Sequence, residues 1–379
     1  MPSGKQSIGE ATTSEDDDQE EYPILEVDGD EDEDEDQSIE DMPVDKDSPY
    51  SGSGARTVYH QRRSDQDTLN STQSLYDSDI TYFMIHGRRY CKDYYMPNDE
   101  EEQDRTQILH SVYLDLFHQL LTTVPLDKPT KILDIGTGLG EWAMAMGDEY
   151  PEAEVIGTDI AKIQPTAVPL NVFFEIDDAE EEGGWTWPED EFDLIHFRTM
   201  AGAFKSWTGI YTESFKHLKP GGYIEVVDFD DHERFMSYFD PSEGIHEWLL
   251  AINEASRVIG RPRGAAHLSV EVLESLGFVD VKITDQQIPM GNWPDDPGAQ
   301  QIGKHFLVAQ LCGIEALCLR PLTETMSWDV EKVRAICDVV TQRVRSVALD
   351  PEQARGLGFN VRCLTGRKPG GAPLGDGVA

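Results

Sequence analysis

The chain has 379 residues, 39% of them apolar, which is ample for a large buried core. Its net charge of −42 argues against direct binding to DNA or RNA, because a nucleic-acid binder must neutralise phosphates. The five cysteines form no Cys-x-x-Cys and no apolar leader or membrane-length segment is evident. Free thiols and a soluble, intracellular protein are therefore expected.

The charge is uneven. Residues 1–50 hold 20 Asp or Glu against two Lys, a net of −18, and every position of Asp28–Asp36 except Gly29 is acidic. Such a block cannot bury enough apolar surface to fold, and Ser, Gly and Gln fill Ser51–Ser74. Residues 1–78 are expected to be a disordered acidic region. It is either a solubilising tail or an interaction arm for a basic partner.

From Thr81 the character changes. Tyr82, Phe83, Tyr90, Tyr94 and Tyr95 cluster around Gly87-Arg88-Arg89 and lead into a helix, either as a flap packed on the core or as a lid that excludes water from a site. Asn98 is the expected N-cap, with Glu101 completing a capping box. Ile108, Leu109, Val112, Leu116 and Leu120 form the helix's apolar stripe.

Lys131–Gly140 is the most informative stretch. Ile132, Leu133 and Ile135 read as a short buried strand; Gly136, Gly138 and Gly140 supply a turn that backbone or ligand can approach closely; Glu141–Met146 continues as helix. Strand, glycine turn and helix make the nucleotide corner of a doubly wound fold. The spacing is Gly-x-Gly-x-Gly rather than the dinucleotide Gly-x-Gly-x-x-Gly, and Asp134 stands two residues before the first glycine. A carboxylate there repels phosphates and suits the cationic amino group and sulfonium of S-adenosylmethionine. Asp159 ends the next strand (Glu154–Ile160), placed for ribose hydroxyls. Asp177 and Asp178, before Ala179, close Val172–Ile176 and border the adenine. Three acids at three successive strand ends favour S-adenosylmethionine over a dinucleotide.

Strands and helices then alternate. Phe192–Phe197 is a strand ending at Arg198, Trp207–Leu218 a helix stopped by Lys219-Pro220-Gly221-Gly222, and Tyr223–Phe229 the next strand. This order implies a parallel sheet with its ligand at the carboxyl ends of the strands, where Asp134, Asp159, Asp178 and Arg198 fall. Helices follow at Ile245–Ile259 and Ser269–Leu276, a strand at Phe278–Ile283, helices at Gln300–Leu319 and Asp329–Ser346, and a last strand at Phe359–Leu364. The two late helices would cap the substrate mouth, with Trp248, Trp293 and Trp328 either lining it or packing elsewhere.

Several motifs together resemble the fungal LaeA-like, velvet-associated branch of the class I methyltransferases. They are His86-Gly-Arg-Arg-Tyr90, Pro97–Arg105, Leu133–Trp142, Val155–Asp159, Pro165, Phe174–Ala179, Phe192–Arg198, Leu218–Glu225, Leu276–Phe278 and Gly366–Pro369. The chain departs from the family pattern at Asp350–Phe359. The resemblance implies a seven-stranded, mostly parallel, Rossmann-like α/β sheet with helical cap insertions. It implies a methyltransferase domain over 79–369, with a lid and first helix at 79–125, a cofactor half at 130–230 and a cap with the final strands at 240–369, then a flexible tail at 370–379. Cofactor contact is carried onto Asp134, Gly136, Gly138, Asp159, Asp178, Ala179 and Arg198, and within the same motifs onto Tyr90, Thr137, Gly140, Trp142, Ile160 and Asp177.

No Asn/Asp-Pro-Pro-Tyr/Phe run follows Leu194–Phe197, which disfavours the amino-group class that uses it. His196 reads as a packed core residue, His232 as the one candidate base, and no metal cluster is evident. The resemblance implies a regulator of fungal development and secondary metabolism, working with a velvet-domain partner or a second methyltransferase subunit, in the nucleus or cytoplasm. The methyl acceptor is a protein or a small molecule. Alternatives are a tailoring enzyme for a small secondary metabolite, and a scaffold that keeps the fold but little catalysis.

Overall fold

The computed structural model describes residues 81–370 apart from Asp93, Asp231 and the side chains of His232 and Glu233. The acidic N-terminal region and the C-terminal tail lie outside the described residues, as does the imidazole of His232, which stands at the start of a short helix.

Two strands come first. β1 (Tyr82–Ile85) and β2 (Arg88–Cys91) pair antiparallel around His86 and Gly87, whose φ values of 50° and 90° give the doubly left-handed turn that matches strand twist. The aromatic lead-in is thus a hairpin, hidden in the sequence because His-Gly is a weaker turn signal than Asn-Gly.

Helix α1 (Glu100–Leu116) is capped by Asp99, not Asn98: the Asp99 carboxylate accepts from Glu102 N at 3.2 Å. Asp99 is also held by both arms of the Arg88 fork (2.7 and 2.8 Å), while Asn98 is drawn away to accept from Arg89 Nε at 2.9 Å. An arginine pair on β2 therefore selects the cap residue, which spacing alone could not reveal.

The expected seven-stranded sheet is present. β3 (Lys131–Ile135), β4 (Glu154–Asp159), β5 (Val172–Ile176), β6 (Phe192–Arg198), β7 (Leu218–Asp230), β8 (Val279–Pro289) and β9 (Gly358–Arg367) lie in the order β5-β4-β3-β6-β7-β9-β8. Pairings from β5 through β7 are parallel, and β9 is antiparallel to both of its neighbours. The central strands bury both faces, as sheets flanked by crossover helices do. On one face Ile132, Val155, Val172 and Leu194 pack with Trp142, Ala143 and Met146 of α2 (Glu141–Glu149). On the other, Leu133, Ile156, Ile195 and Ile224 pack with Ile210 and Tyr211 of α3 (Trp207–His217).

After the short α4 (His232–Met236), a third core is built from α5 (Gly244–Ile259), α7 (Pro297–Ala316) and α8 (Val330–Leu349). The six-residue α6 (Val270–Ser275) packs against β8 instead. α7 and α8 stand between β8 and β9 in the chain; α7 packs on α1 and on α8, and α5 packs on α8. One sequence expectation needs correction here: the helical stretch Pro297–Thr325 is long and apolar enough to cross a membrane. Half of its most apolar window is buried inside the protein, with Phe306, Leu307 and Ile314 in this third core, so its apolarity is satisfied by packing.

Candidate functional site

A cavity of about 350 Å³ opens at the carboxyl ends of the parallel strands. It begins where the sheet order reverses, between β3 and β6.

The glycine turn after β3 has φ of 73°, 58° and 79° at Gly136, Gly138 and Gly140. At Gly136 the φ of 73° favours glycine, and an added Cβ would also have to displace the end of the Met200 side chain, whose Sδ lies 2.3 Å away. The amides of the turn point inward. Gly136 N and Thr137 N both donate to Thr158 O at 2.9 Å, Gly138 N donates to Asp159 Oδ2 at 2.9 Å, and Gly140 N donates to Thr137 O at 2.9 Å. A pyrophosphate needs such N–H groups free, so this turn is unsuited to a dinucleotide.

Carboxylates stand where phosphates would. Asp134 accepts from Thr137 Oγ1 at 2.7 Å and from His196 Nδ1 at 2.8 Å. His196 in turn stacks flat on Trp142, with ring centroids 3.7 Å apart and planes within 6°. His196 is buried, as expected of a core residue, but it also lines the cavity and orients Asp134. Asp159 accepts from Gly138 N and Ala161 N, one bond to each oxygen at 2.9 Å, which leaves lone pairs for further donors. Burial pushes its pKa up to about 6 against the pull of those two amides. Asp177 is likewise raised to about 6, first by burial and then by Glu175. Both are ionised at neutral pH and ready to accept from hydroxyl or amino groups.

Of the sequence-predicted contacts, Asp134, Gly136, Thr137, Gly138, Trp142 and Asp159 line this cavity together with Ile160, Asp177, Asp178, Ala179 and Arg198. Tyr90 and Gly140 do not. Tyr90, on β2 of the hairpin, is fully buried, bridged to Pro97 and overlain by the Arg320 guanidinium at 5.3 Å. Gly140 is needed for packing, since a Cβ there would lie 2.0 Å from the Phe174 ring.

The β1–β2 hairpin is tied to the cofactor end. Cys91 Sγ donates to Ile160 O at 3.1 Å, Tyr82 Oη accepts from Lys162 N at 3.0 Å, and Lys92 Nζ lies 3.5 Å from Asp178. Just beyond it, Tyr94 and Tyr95 line the cavity, and Tyr95 Oη donates to Ala201 O at 3.0 Å. This covering of the site fits the lid alternative.

At the other end the cavity becomes apolar. Phe235, Trp248, Leu249, Ile252, Met290, Val340, Val344 and Phe359 line it beneath the cap. Phe359, from the segment where the chain departs from the family pattern, stacks on Phe235 at 5.0 Å. Trp293 donates to Leu357 O at 2.8 Å and Trp328 lies under Lys332 at 3.4 Å, so neither lines the cavity.

Between the two ends stand Arg198, His110 and Tyr113. Arg198 Nη2 donates to His110 Nδ1 at 2.9 Å, and its guanidinium lies 4.9 Å from the Tyr113 ring centroid. The next residue, Thr199, is β-branched yet held at φ 59°, a strained conformation that a bond from Thr199 N to Val227 O (2.9 Å) and one between Thr199 Oγ1 and Tyr113 Oη (3.0 Å) maintain. Burial, and then the charge of Arg198, lower the His110 pKa to about 4, so its ring is neutral and, with Nδ1 accepting, carries its proton on Nε2. Sequence reading missed His110 and Tyr113; the signal available was a polar residue, His110, interrupting the apolar stripe of α1. It missed Asp228 too, which lines the cavity but accepts from Met200 N and Phe229 N at 2.9 Å. Among the described residues no His, Cys, Asp and Glu cluster fit to hold a metal is present.

Comparison with known proteins places this geometry in a family. The methyltransferase domain family matches residues 105–275. The secondary metabolism regulator LAE1 of Cochliobolus heterostrophus is 34% identical over 273 residues, covering 69% of this chain and 89% of that protein. The methyltransferase pytC of Aspergillus terreus is 35% identical over 280 residues (71% and 85% covered), and the regulator laeA of Aspergillus fumigatus 31% over 285 (71% and 74%). Among solved structures, phosphoethanolamine N-methyltransferase 2 of Haemonchus contortus superimposes with a TM-score of 0.40 at 16% identity, covering 70% of this chain and 52% of that one. With its methyltransferase-type sheet and acid-lined glycine turn, the chain belongs to the LaeA-like methyltransferase family.

Proposed function

We propose that this protein is an S-adenosylmethionine-dependent methyltransferase that regulates secondary metabolism in a fungus. The observation that carries the cofactor is the glycine turn, whose amides face inward while Asp134 and Asp159 face the cavity. That arrangement rejects phosphate and accepts a cationic, hydroxylated nucleoside. When bound, S-adenosylmethionine supplies an electrophilic methyl group on a sulfonium.

The chain's own residues then do three things. Asp134, oriented by His196 and Thr137, faces the ammonium of the methionine part, and Asp159 accepts from the ribose hydroxyls. Asp177, Asp178 and Ala179 border the adenine, with Ile160, Trp142, Thr137 and the glycines Gly136 and Gly138 shaping the walls. The hairpin and Tyr94–Tyr95 exclude water, so that rate comes from positioning.

The regulatory role rests on similarity to LAE1 and laeA. By the same resemblance we place the protein in the nucleus or cytoplasm, with a velvet-domain protein or a second methyltransferase subunit as partner. The acidic composition of the N-terminal region suits either a solubilising tail or contact with a basic partner. A second reading, tailoring of a secondary metabolite, is favoured by the apolar end of the cavity and by similarity to pytC.

The test is transfer of labelled methyl from S-adenosylmethionine in native extract, with Gly138→Asp as control. Gly138 has open space around its Cβ position, so the variant sets a carboxylate in the site without a clash, at a φ of 58° that aspartate adopts only with strain. Label above the control supports the enzyme; parent and control alike would leave a scaffold.

A further inference from the structure

Arg198 is a buried cation with no carboxylate in direct contact, although the charges of Asp134, Glu141 and Glu225 act on it from farther away. Among the described residues no carboxylate lies within salt-bridge distance of its guanidinium, whereas the cavity-lining Arg105 and Arg261 meet Glu102 and Glu180 at 2.7 Å and Arg263 lies over the Tyr95 ring at 5.3 Å. Its one nitrogen partner, His110 Nδ1, is neutral, so the charge is not compensated there. Burying a guanidinium costs free energy unless an anion meets it, and burial does lower the pKa of Arg198.

Its position says what that anion belongs to. Arg198 ends β6, beside the glycine turn of β3, and its other side meets Tyr113, whose ring leads through Phe229 (5.9 Å) and Phe359 (6.1 Å) into the apolar chamber. The guanidinium therefore lies where the methyl-donor end of the cavity passes into the apolar end.

The side chain hydrogen-bonded to Arg198, His110, cannot remove a proton. His110 uses Nδ1 to accept from Arg198 and is held neutral, while Asp228 is engaged by Met200 N and Phe229 N at 2.9 Å and lies 3.3 Å from His267 Nε2. An alcohol, phenol or ammonium acceptor would need a base here; a carboxylate needs none.

Resting on the cofactor reading above, we infer that the methyl acceptor is a small apolar carboxylic acid, bound with its carboxylate on Arg198 and its body in the chamber beneath the cap. One carboxylate oxygen donates a lone pair to the methyl carbon; the C–O bond forms as the C–S bond breaks, and the bonding pair goes to sulfur. The products are a methyl ester and S-adenosylhomocysteine, with no proton transferred. Arg198, which the sequence resemblance set among the cofactor contacts, serves the acceptor in this assignment.

The probes are decanoic acid and decanol, titrated by calorimetry into the full chain saturated with S-adenosylhomocysteine. The acid is expected to bind at least about tenfold tighter than the alcohol, as a charge-assisted fork allows. Arg198→Gln should erase that preference and leave S-adenosylhomocysteine affinity within about threefold. Arg198→Lys, which keeps the charge without the fork, should retain part of it. With labelled S-adenosylmethionine the acid should give a product that releases labelled methanol in mild base. Equal binding of acid and alcohol, binding of neither, or a preference that survives Arg198→Gln would overturn the inference. So would a tenfold loss of S-adenosylhomocysteine affinity in Arg198→Gln, which would assign the guanidinium to the cofactor's own carboxylate. Failure of the parent to bind S-adenosylhomocysteine at all is a separate result, and it strikes the cofactor reading.

Discussion

The two ends of the cavity are built in opposite ways. The cofactor end is made by polar groups close together in the chain, on the ends of three adjacent strands, and nearly every one is fixed by a short hydrogen bond. The cap end is made by apolar side chains from α4, α5, α8 and β9 and by Met290 just after β8, spread from Phe235 to Phe359 and held by packing. A hydrogen-bonded turn has one geometry, whereas an apolar chamber tolerates exchange of similar shapes. Such a division suits a fixed cofactor and an acceptor that differs between relatives.

Substitutions should divide along the same line. The largest effect is expected for Gly136→Val, where the new side chain would meet Met200 Sδ and the backbone would keep φ 73°. Cofactor affinity should fall by more than about 100-fold, with roughly 2–4 kcal/mol lost from stability, read by calorimetry and denaturant melts. Retained affinity would mean that the turn is not the cofactor's seat.

Asp159→Asn comes next. Removing a charged acceptor of ribose hydroxyls should weaken binding by about 10- to 100-fold. The parent carries its own pH signature. The ionised form is the one that accepts, and the Asp159 pKa is pushed up to about 6, so affinity should be level above that pH and fall as pH drops through it. The Asn variant should show no such fall attributable to this group, and a parallel pH profile in both proteins would remove Asp159 from the site.

These residues were also the legible ones, for a local reason. Asp134, Gly136, Gly138 and Asp159 announce themselves because strand, turn and acid follow one another within a few residues. His110 and Tyr113 lie on α1 and reach Arg198 and Thr199 across more than eighty residues, a meeting that only the fold arranges. The cap of α1 was misread by one residue because Arg88 and Arg89, not spacing, decide between Asn98 and Asp99. Cys318 and Cys337, nineteen residues apart with no motif between them, come to 3.3 Å in the cap core by the same kind of tertiary pairing.

In the cap, Phe359→Leu should spare cofactor affinity within about twofold while lowering stability by about 1–2 kcal/mol, because it removes ring contacts with Phe229, Phe235 and Phe306. A loss of cofactor affinity comparable to that of Asp159→Asn would break the division between the two ends. The smallest effect is expected for Tyr82→Phe, which removes the hydroxyl that accepts from Lys162 N at 3.0 Å. Losing that latch, which also donates to Lys162 O at 3.4 Å, should speed cofactor release by about fivefold, in keeping with a net of about 1 kcal/mol for an exposed hydrogen-bonding hydroxyl, with little change in melting temperature. An unchanged off-rate in stopped flow would make the hairpin packing rather than a lid.

The central claim is that inward-facing amides and cavity-facing carboxylates select a sulfonium nucleoside over a phosphate-bearing one. The most direct test titrates S-adenosylhomocysteine and, separately, NADH into the full chain by calorimetry at neutral pH. The account predicts saturable one-to-one binding of S-adenosylhomocysteine and none of NADH. Binding of NADH, or heat from neither ligand, would contradict it.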